Sequence, residues 1–240
     1  MQLLTRDSLF SGKLLIYQER KGYRFSIDAV LLAGLARVRP GDRIVELGTG
    51  GGVVLLILAF RGLGESLLGI EIQPELFSLA QRNALENGLD ERARFLNADF
   101  RAVSELLPPR CCDMVVSNPP YRRLSTGRVN PDKQRAIARH ELVATLTHVF
   151  KAADHLLGDG GRLGLIYPAP RLGSLLAAAH EAGFCPKELT VIHSDPASSA
   201  RLVYVQCTKR GGEELHISPP FFIYEGAGEY SAAMKRLYGP

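Results

Sequence analysis

Cysteine is scarce and unpatterned. There are four: Cys111 and Cys112 are adjacent, Cys185 and Cys207 are isolated, and no C-x-x-C occurs. This reads as reduced, partly buried thiols, not as a disulfide framework or a zinc site. His148, His155, His180, His193 and His216 show no metal-ligand spacing, so no metal is expected. Long apolar stretches are missing as well. The longest, Val53 to Phe60, has eight residues, against the roughly 18 a spanning helix needs. The opening MQLLTRDSLF lacks the basic and then apolar pattern of a secretory signal, so a cytoplasmic location is expected, with no membrane partner. The 24 glycines and 14 prolines follow no period and form no low-complexity tract.

What is present is ordinary for a folded chain. The 240 residues suffice for one large domain with a sizeable core. Hydrophobic residues at 46% offset chain entropy and exclude wholesale disorder. The formal net charge of +4 is a weak pointer to an anionic partner, but its distribution says more. Arg122, Arg123, Arg128, Lys133, Arg135 and Arg139 crowd one stretch whose single acid is Asp132. That stretch alone exceeds the charge of the whole chain. Its Gly127 and Pro131 mark it as loop, which suits a phosphate-binding flap. A merely solvated basic surface is the alternative.

From residue 43 onward, β-rich runs alternate with helical patterns. Strands are predicted over 43–47, 67–71, 94–96, 113–117, 162–167, 188–192 and 202–207. Helices are predicted near 53–61, 74–87, 100–107, 136–157 and 172–182. Alternating βα units imply a doubly wound α/β fold with a mostly parallel, seven-stranded, Rossmann-like sheet. The last two strands lack a helix between them and are expected to pair as an antiparallel hairpin. A strand at 14–18 and a helix near 28–37 precede this core, and a strand near 215–217 and a helix near 230–238 follow it. We expect one domain: a cover segment at 1–40, a core at 41–210 and an extension at 211–240.

Four constellations carry chemistry. In Glu46-Leu47-Gly48-Thr49-Gly50-Gly51-Gly52, a strand ends and a helix begins. Its glycines allow a tight turn and close backbone approach of a ligand. A dinucleotide fingerprint would need glycine at 53, where Val stands. The acid two residues before Gly48 favours a ligand carrying an amine and a carboxylate over a pyrophosphate. Glu71 ends the second core strand and offers two acceptor oxygens to ribose hydroxyls. Asp99 follows the third; its carboxylate suits an adenine amino group, and capping the helix at Phe100 is an equally good physical role. Asn118-Pro119-Pro120-Tyr121 follows the fourth. The prolines withhold N–H groups. The Asn118 amide oxygen and Pro119 carbonyl then pair as acceptors for a planar –NH2, with Tyr121 a stacking surface for a base.

Together these motifs resemble the class I S-adenosylmethionine (SAM)-dependent methyltransferases, and among them the N-P-P-Y group that methylates planar nitrogens. The resemblance covers about residues 20 to 210. It implies that Glu46, Gly48, Thr49, Gly50 and Gly52 hold the methionine portion of SAM. Glu71 would take the ribose and Asp99 the adenine, with Ile72, Phe100 and Asn118 also lining the cofactor. Tyr23 and Asp28 would close the site from above. The run from Gly22-Tyr23-Arg24-Phe25-Ser26-Ile27-Asp28 to Leu32 is similar to the bacterial tRNA valine adenine-N6 methyltransferase group, as are Arg139-His140-Glu141 and the tail residues Pro219, Pro220 and Tyr224. That similarity implies methylation of the adenine 3′ of the anticodon, with the basic residues of 122–139 and His140 on the RNA.

The implied chemistry asks little of acid–base groups. The N6 lone pair is delocalised, and two acceptors on its N–H bonds let the nitrogen pyramidalise toward the methyl donor. Other acceptors remain open: another RNA or DNA base amine, or a glutamine side chain of a release factor or ribosomal protein. A nicotinamide-dependent oxidoreductase would leave N-P-P-Y unexplained, and a silenced RNA-binding module would be expected to have lost these motifs.

Overall fold

The computed structural model describes residues 4–20, 25–119, 146–226 and 228–239. The strands form where β-branched and leucine residues run together, and parallel pairing buries them on both faces. Five parallel strands make the centre: β3 (Arg43–Leu47), β4 (Ser66–Glu71), β5 (Ala93–Asn97), β6 (Cys112–Ser117) and β7 (Leu157–Pro168). β8 (Phe184–His193) and β9 (Ala200–Lys209) pair antiparallel, and β9 also runs antiparallel to β7. The order across the sheet is β8-β9-β7-β6-β3-β4-β5. This is the expected seven-stranded sheet with its hairpin. Two strands of two residues each, β10 (His216–Ile217) and β11 (Phe221–Phe222), extend it beyond β8, making nine in all.

Helices cover both faces. On one lie α1 (Ile27–Leu35), α2 (Val53–Phe60) and α3 (Pro74–Glu86). α2 is apolar almost throughout and is buried from Val53 to Ala59, which is why it has no solvent face. α3 is amphipathic; Leu76, Leu79, Ala80 and Ala84 turn inward, and Pro74 starts it where a missing N–H costs nothing. On the other face pack the short α4 (Val103–Leu106), α5 (Leu146–Leu156) and α6 (Leu172–Glu181). The helix predicted over 136–157 is described only from Leu146. The one predicted over 100–107 divides into a 3-10 turn, Phe100–Ala102, and α4.

The cover segment is a hairpin, β1 (Leu4–Leu9) with β2 (Leu14–Glu19). β1 was not predicted from the sequence, because LTRDSL shows no apolar alternation. The hairpin is tied down by two asparagines, the buried Asn83 of α3 and Asn87 at its C-terminal cap. Asn87 exchanges hydrogen bonds with both backbone groups of Leu15, at 2.8 and 2.7 Å. Asn83 accepts from Tyr17 N–H at 2.7 Å and donates to its carbonyl at 3.2 Å. After β11 the tail forms a small ribbon, β12 (Tyr224–Gly226) with β13 (Glu229–Tyr230). It ends in α7 (Ala232–Tyr238), capped by the Ser231 hydroxyl. Met234 of α7 is fully buried against the α1–α2 layer.

Strand order reverses between β3 and β6: β4 and β5 lie to one side, β7 to the other. In an open α/β sheet, the crevice at such a reversal is where a ligand lodges.

Candidate active site

Register aligns the strand ends at that crevice. Leu47 of β3 stands opposite Ile70 of β4 and Ser117 of β6. Glu71 of β4 stands opposite Asn97 of β5. One residue further on each strand come Gly48, Glu71 and Asn118, with Asp99 just past β5. Neighbouring strands are about 4.8 Å apart, so Asn118 lies one strand from the glycine loop and about 10 Å from Glu71. The Ser117 hydroxyl donates to Leu47 C=O at 2.8 Å and locks β6 to β3 immediately below. Pro119 is buried and Asn118 half-buried. Pro120, Tyr121 and Tyr23 lie outside the described residues, as do Arg122, Arg123, Arg128, Lys133, Arg135, Arg139 and His140.

The glycine loop is held from below by β4. Gly48 and Thr49 both donate their N–H to Ile70 C=O, at 2.9 and 3.1 Å. Gly48, Gly50 and Gly52 have φ of 75°, 58° and 83°, the left-handed region that side chains disfavour. Their reasons differ. A Cβ on Gly48 would meet nothing within 4 Å, so open space stands over the loop there. A Cβ on Gly52 would lie 2.8 Å from the Phe95 ring and 3.1 Å from Ala80. Gly52 is therefore required by packing, and the expectation that it serves close ligand approach finds no open space.

Two carboxylates sit behind this loop. Glu46 occupies a position on β3 where its alternation with Ile44 calls for an apolar residue, and it is 2% exposed. Thr49 donates its hydroxyl to Glu46 Oε2 at 2.6 Å. Burial pushes the Glu46 carboxyl up to about 8; the Thr49 bond opposes this, the neighbouring Glu71 adds to it, and the Leu55 N–H opposes it again. Glu71 is buried too, and desolvation likewise raises it. Its Oε2 accepts from Gly50 N–H at 2.8 Å and its Oε1 from Gln73 N–H at 2.9 Å. Each oxygen keeps a second lone pair for a ligand hydroxyl. Ile72, between them, is half-buried.

Asp99 caps the 3-10 turn by accepting from Arg101 N–H at 2.9 Å and also binds the Arg101 guanidinium. Burial raises its carboxyl, but the Arg101 bonds outweigh that and hold it below the ordinary value. Its capping role is thus realised, with the carboxylate still at the strand end. Phe100 is buried in the core beneath the site. Asp28, at the start of α1, lines a cleft with Pro168, at the end of β7, and Arg201.

Asn83, Gln73 and Gly69, which no motif marks, complete the arrangement, and Thr49 gains a second role. Asn83, fully buried, donates to Gly51 C=O at 3.0 Å while holding Tyr17, and so couples hairpin to glycine loop. Thr49 was expected to touch the cofactor; its hydroxyl also fixes the Glu46 carboxyl. Gln73 Oε1 is buried without a partner among the described residues, on the residue whose backbone N–H binds the Glu71 carboxylate. Gly69 admits no side chain, since a Cβ would meet Phe95 at 2.7 Å and Thr49 at 2.8 Å. Only Asn83 could have been suspected, as a polar residue on the apolar face of an amphipathic helix.

The donor set fits SAM. Open space over Gly48, an orphaned buried acceptor on Gln73, and paired carboxylates suit an amine and ribose hydroxyls. Residues 39–208 match the family model described as "Methyltransferase domain". A crystal structure titled as a predicted O-methyltransferase from Agrobacterium tumefaciens superposes with TM-score 0.71 at 24% identity, over 88% of this chain and 95% of that one. Fold, site and family model together define a SAM-dependent methyltransferase. The chain is 30% identical over 227 residues to a tRNA1(Val) (adenine(37)-N6)-methyltransferase of Porphyromonas gingivalis, covering 90% of this chain and 88% of the relative. A protein of the same name from Pedobacter heparinus is 28% identical over 214 residues, 89% of this chain and 88% of the relative. The chain belongs to this tRNA1(Val) (adenine(37)-N6)-methyltransferase family of methyltransferases.

Proposed function

We propose that the protein transfers the methyl group of SAM to the N6 amine of an adenine in tRNA, next to the anticodon. The observation that carries this is the position of Asn118 and Pro119 at the end of β6, one strand from the glycine loop and across the reversal of strand order. When bound, SAM supplies a methyl group activated by its sulfonium. Glu46 takes the methionine end, with Gly48, Thr49 and Gly50, while Glu71 holds the ribose and Asp99 the adenine of the cofactor. The Asn118 side-chain oxygen and the Pro119 carbonyl accept the two N–H bonds of the substrate amine. Positive charge grows on that nitrogen during transfer, so both acceptors hold the transition state more strongly than the ground state. The target base must leave its stack to enter, which costs less in a loop than in a duplex. Pro120, Tyr121 and Tyr23 complete the pocket in this reading. Arg122, Arg123, Arg128, Lys133, Arg135, Arg139 and His140 contact RNA phosphates. The cover segment, core and extension act as one catalytic unit.

The test is methyl transfer from labelled SAM into unmodified total tRNA, with a release-factor protein in parallel, followed by nucleoside analysis. N6-methyladenosine in the tRNA is the expected product; label in the protein alone overturns the assignment. Asn118→Ala is expected to slow the chemical step by about a hundredfold or more, the scale of losing one preorganised polar contact, with SAM affinity nearly unchanged. A wild-type single-turnover rate in that variant would refute the paired-acceptor mechanism. Charge reversal at Arg122 and Arg123 is expected to weaken RNA binding and flatten its salt dependence.

A further inference from the structure

Beyond Asn118 the C-terminal edge of the sheet continues over β7, β9 and β8, away from the glycine loop. A cleft of about 560 Å³ opens there, within the range of sites that hold a small molecule. Its floor is the strand ends, where Pro168 of β7 and Ile192 of β8 both pair with Leu202 of β9. One wall is the start of α1, including Asp28; another is the tail after β11.

The tail contributes an aromatic ladder. Tyr224 and Tyr230 stack with ring centroids 5.3 Å apart and planes 10° from parallel, and Tyr230 and Tyr238 stack at 5.3 Å and 20°. All three rings line the cleft. The β12–β13 ribbon sets Tyr224 opposite Tyr230, and the Ser231 cap fixes the start of the helix that carries Tyr238. Burial pushes the Tyr238 phenol above its ordinary value. Arg201, at the start of β9, also lines the cleft; it is exposed and makes no ion pair among the described residues. An apolar ligand has no use for that cation, and an acidic peptide has no use for three parallel rings. A planar heteroaromatic base with a phosphate uses both.

We propose that this cleft holds a nucleotide of the RNA strand that flanks the methylated adenine, its base against the tyrosine ladder and its phosphate at Arg201. The proposal rests on the reading of RNA as substrate. β9 lies two strands from β6, about 10 Å, so this subsite stands beside the Asn118 acceptor site and on the side opposite the cofactor. It makes the tail part of substrate recognition.

The experiment uses the full chain with SAM and an anticodon stem-loop containing the target adenine. 2-Aminopurine replaces the base on its 5′ side in one RNA and on its 3′ side in another. Wild type is expected to quench the fluorescence of one of the two. Tyr224→Leu, which keeps apolar bulk, is expected to relieve that quenching. Arg201→Glu is expected to weaken RNA binding by about five- to a hundredfold, with SAM affinity and thermal midpoint unchanged. Arg201 is an exposed residue, so that variant tests the cleft even if the tyrosine substitution unfolds the tail. Two results overturn the proposal while leaving the RNA reading intact: methylation of the RNA with no quenching at either position, or quenching and affinity indifferent to both substitutions. Absence of both binding and methylation by wild type overturns the RNA reading itself, and this proposal with it.

Discussion

Glu46 shows what a single buried side chain can set. Its carboxyl is raised to about 8 by burial, so without cofactor it is protonated through the neutral range. In the proposed site it faces the ammonium group of SAM, which favours the ionised form. SAM affinity is therefore expected to rise as pH goes from 6 to 8, by up to tenfold per unit, and to level off above. Calorimetry in buffers of different ionisation enthalpy would detect the proton released, and Glu46→Gln should bind weakly with little pH dependence. Stability moves the other way. Between the ordinary carboxylate value and about 8, the folded state holds a proton that the unfolded state has lost, so cofactor-free stability falls as pH rises through that window. Glu71, also raised by burial, acts with the same sign; Asp99, held low by Arg101, and Asp113 of β6, held low by the Arg43 guanidinium that bonds it, contribute stability that is lost on acidification. Thermal melts of Glu46→Gln should lose part of the decline between pH 5 and 8. Glu46 was legible in the sequence because an acid interrupts an apolar strand just before a glycine turn. Asn83 left only the hint of a polar residue on an apolar helix face, and Gln73 none, because the backbone groups that Asn83 binds and the burial of Gln73 Oε1 arise only in the fold.

At the scale of elements, the β3–α2 turn separates two uses of glycine. Gly48→Ala adds a methyl to open space at φ 75°, a strain of about 1–2 kcal/mol. It is expected to weaken SAM binding more than stability. Gly52→Ala adds the same strain and drives a Cβ against Phe95 and Ala80, so it should destabilise the protein by several kcal/mol. Melting and SAM titration of both variants check this, and equal losses of stability would contradict it. The core strands were legible to within a few residues at most ends, and β3 at both, because each is a short apolar run bounded by polar or glycine residues. β7 was the exception: it begins at Leu157, five residues before the predicted start, because Gly158, Asp159, Gly160 and Gly161 read as a turn yet continue the strand. Of the tail strands, β10 (His216–Ile217) falls within the strand expected near 215–217; β11, β12 and β13 were too short for any pattern, and their partners, β8 and each other, lie beyond local sequence.

At the scale of the whole molecule, the hairpin closes over α2 and α3, and the tail over α1 and the end of α2. A Cβ on Gly34 of α1 would lie 2.6 Å from Leu237 of α7, so helix and tail touch without a gap. The Arg61 guanidinium also donates to Leu237 C=O. Removing residues 211–240 exposes Ile192 and the α1 surface, and it is expected to lower the thermal midpoint by several degrees. An unchanged midpoint would mark the tail as an appendage. The order of strands has a consequence for synthesis. β3 pairs with β4, which follows it at once, and with β6, whose Ser117 comes 70 residues after Leu47. On the ribosome, β3, β4 and β5 can join as they emerge, and the glycine loop forms with them. The opposite edge of β3 stays bare until β6 arrives, a site for mispairing in the interval. A ligand that grips the glycine loop at that stage stabilises the young sheet by mass action.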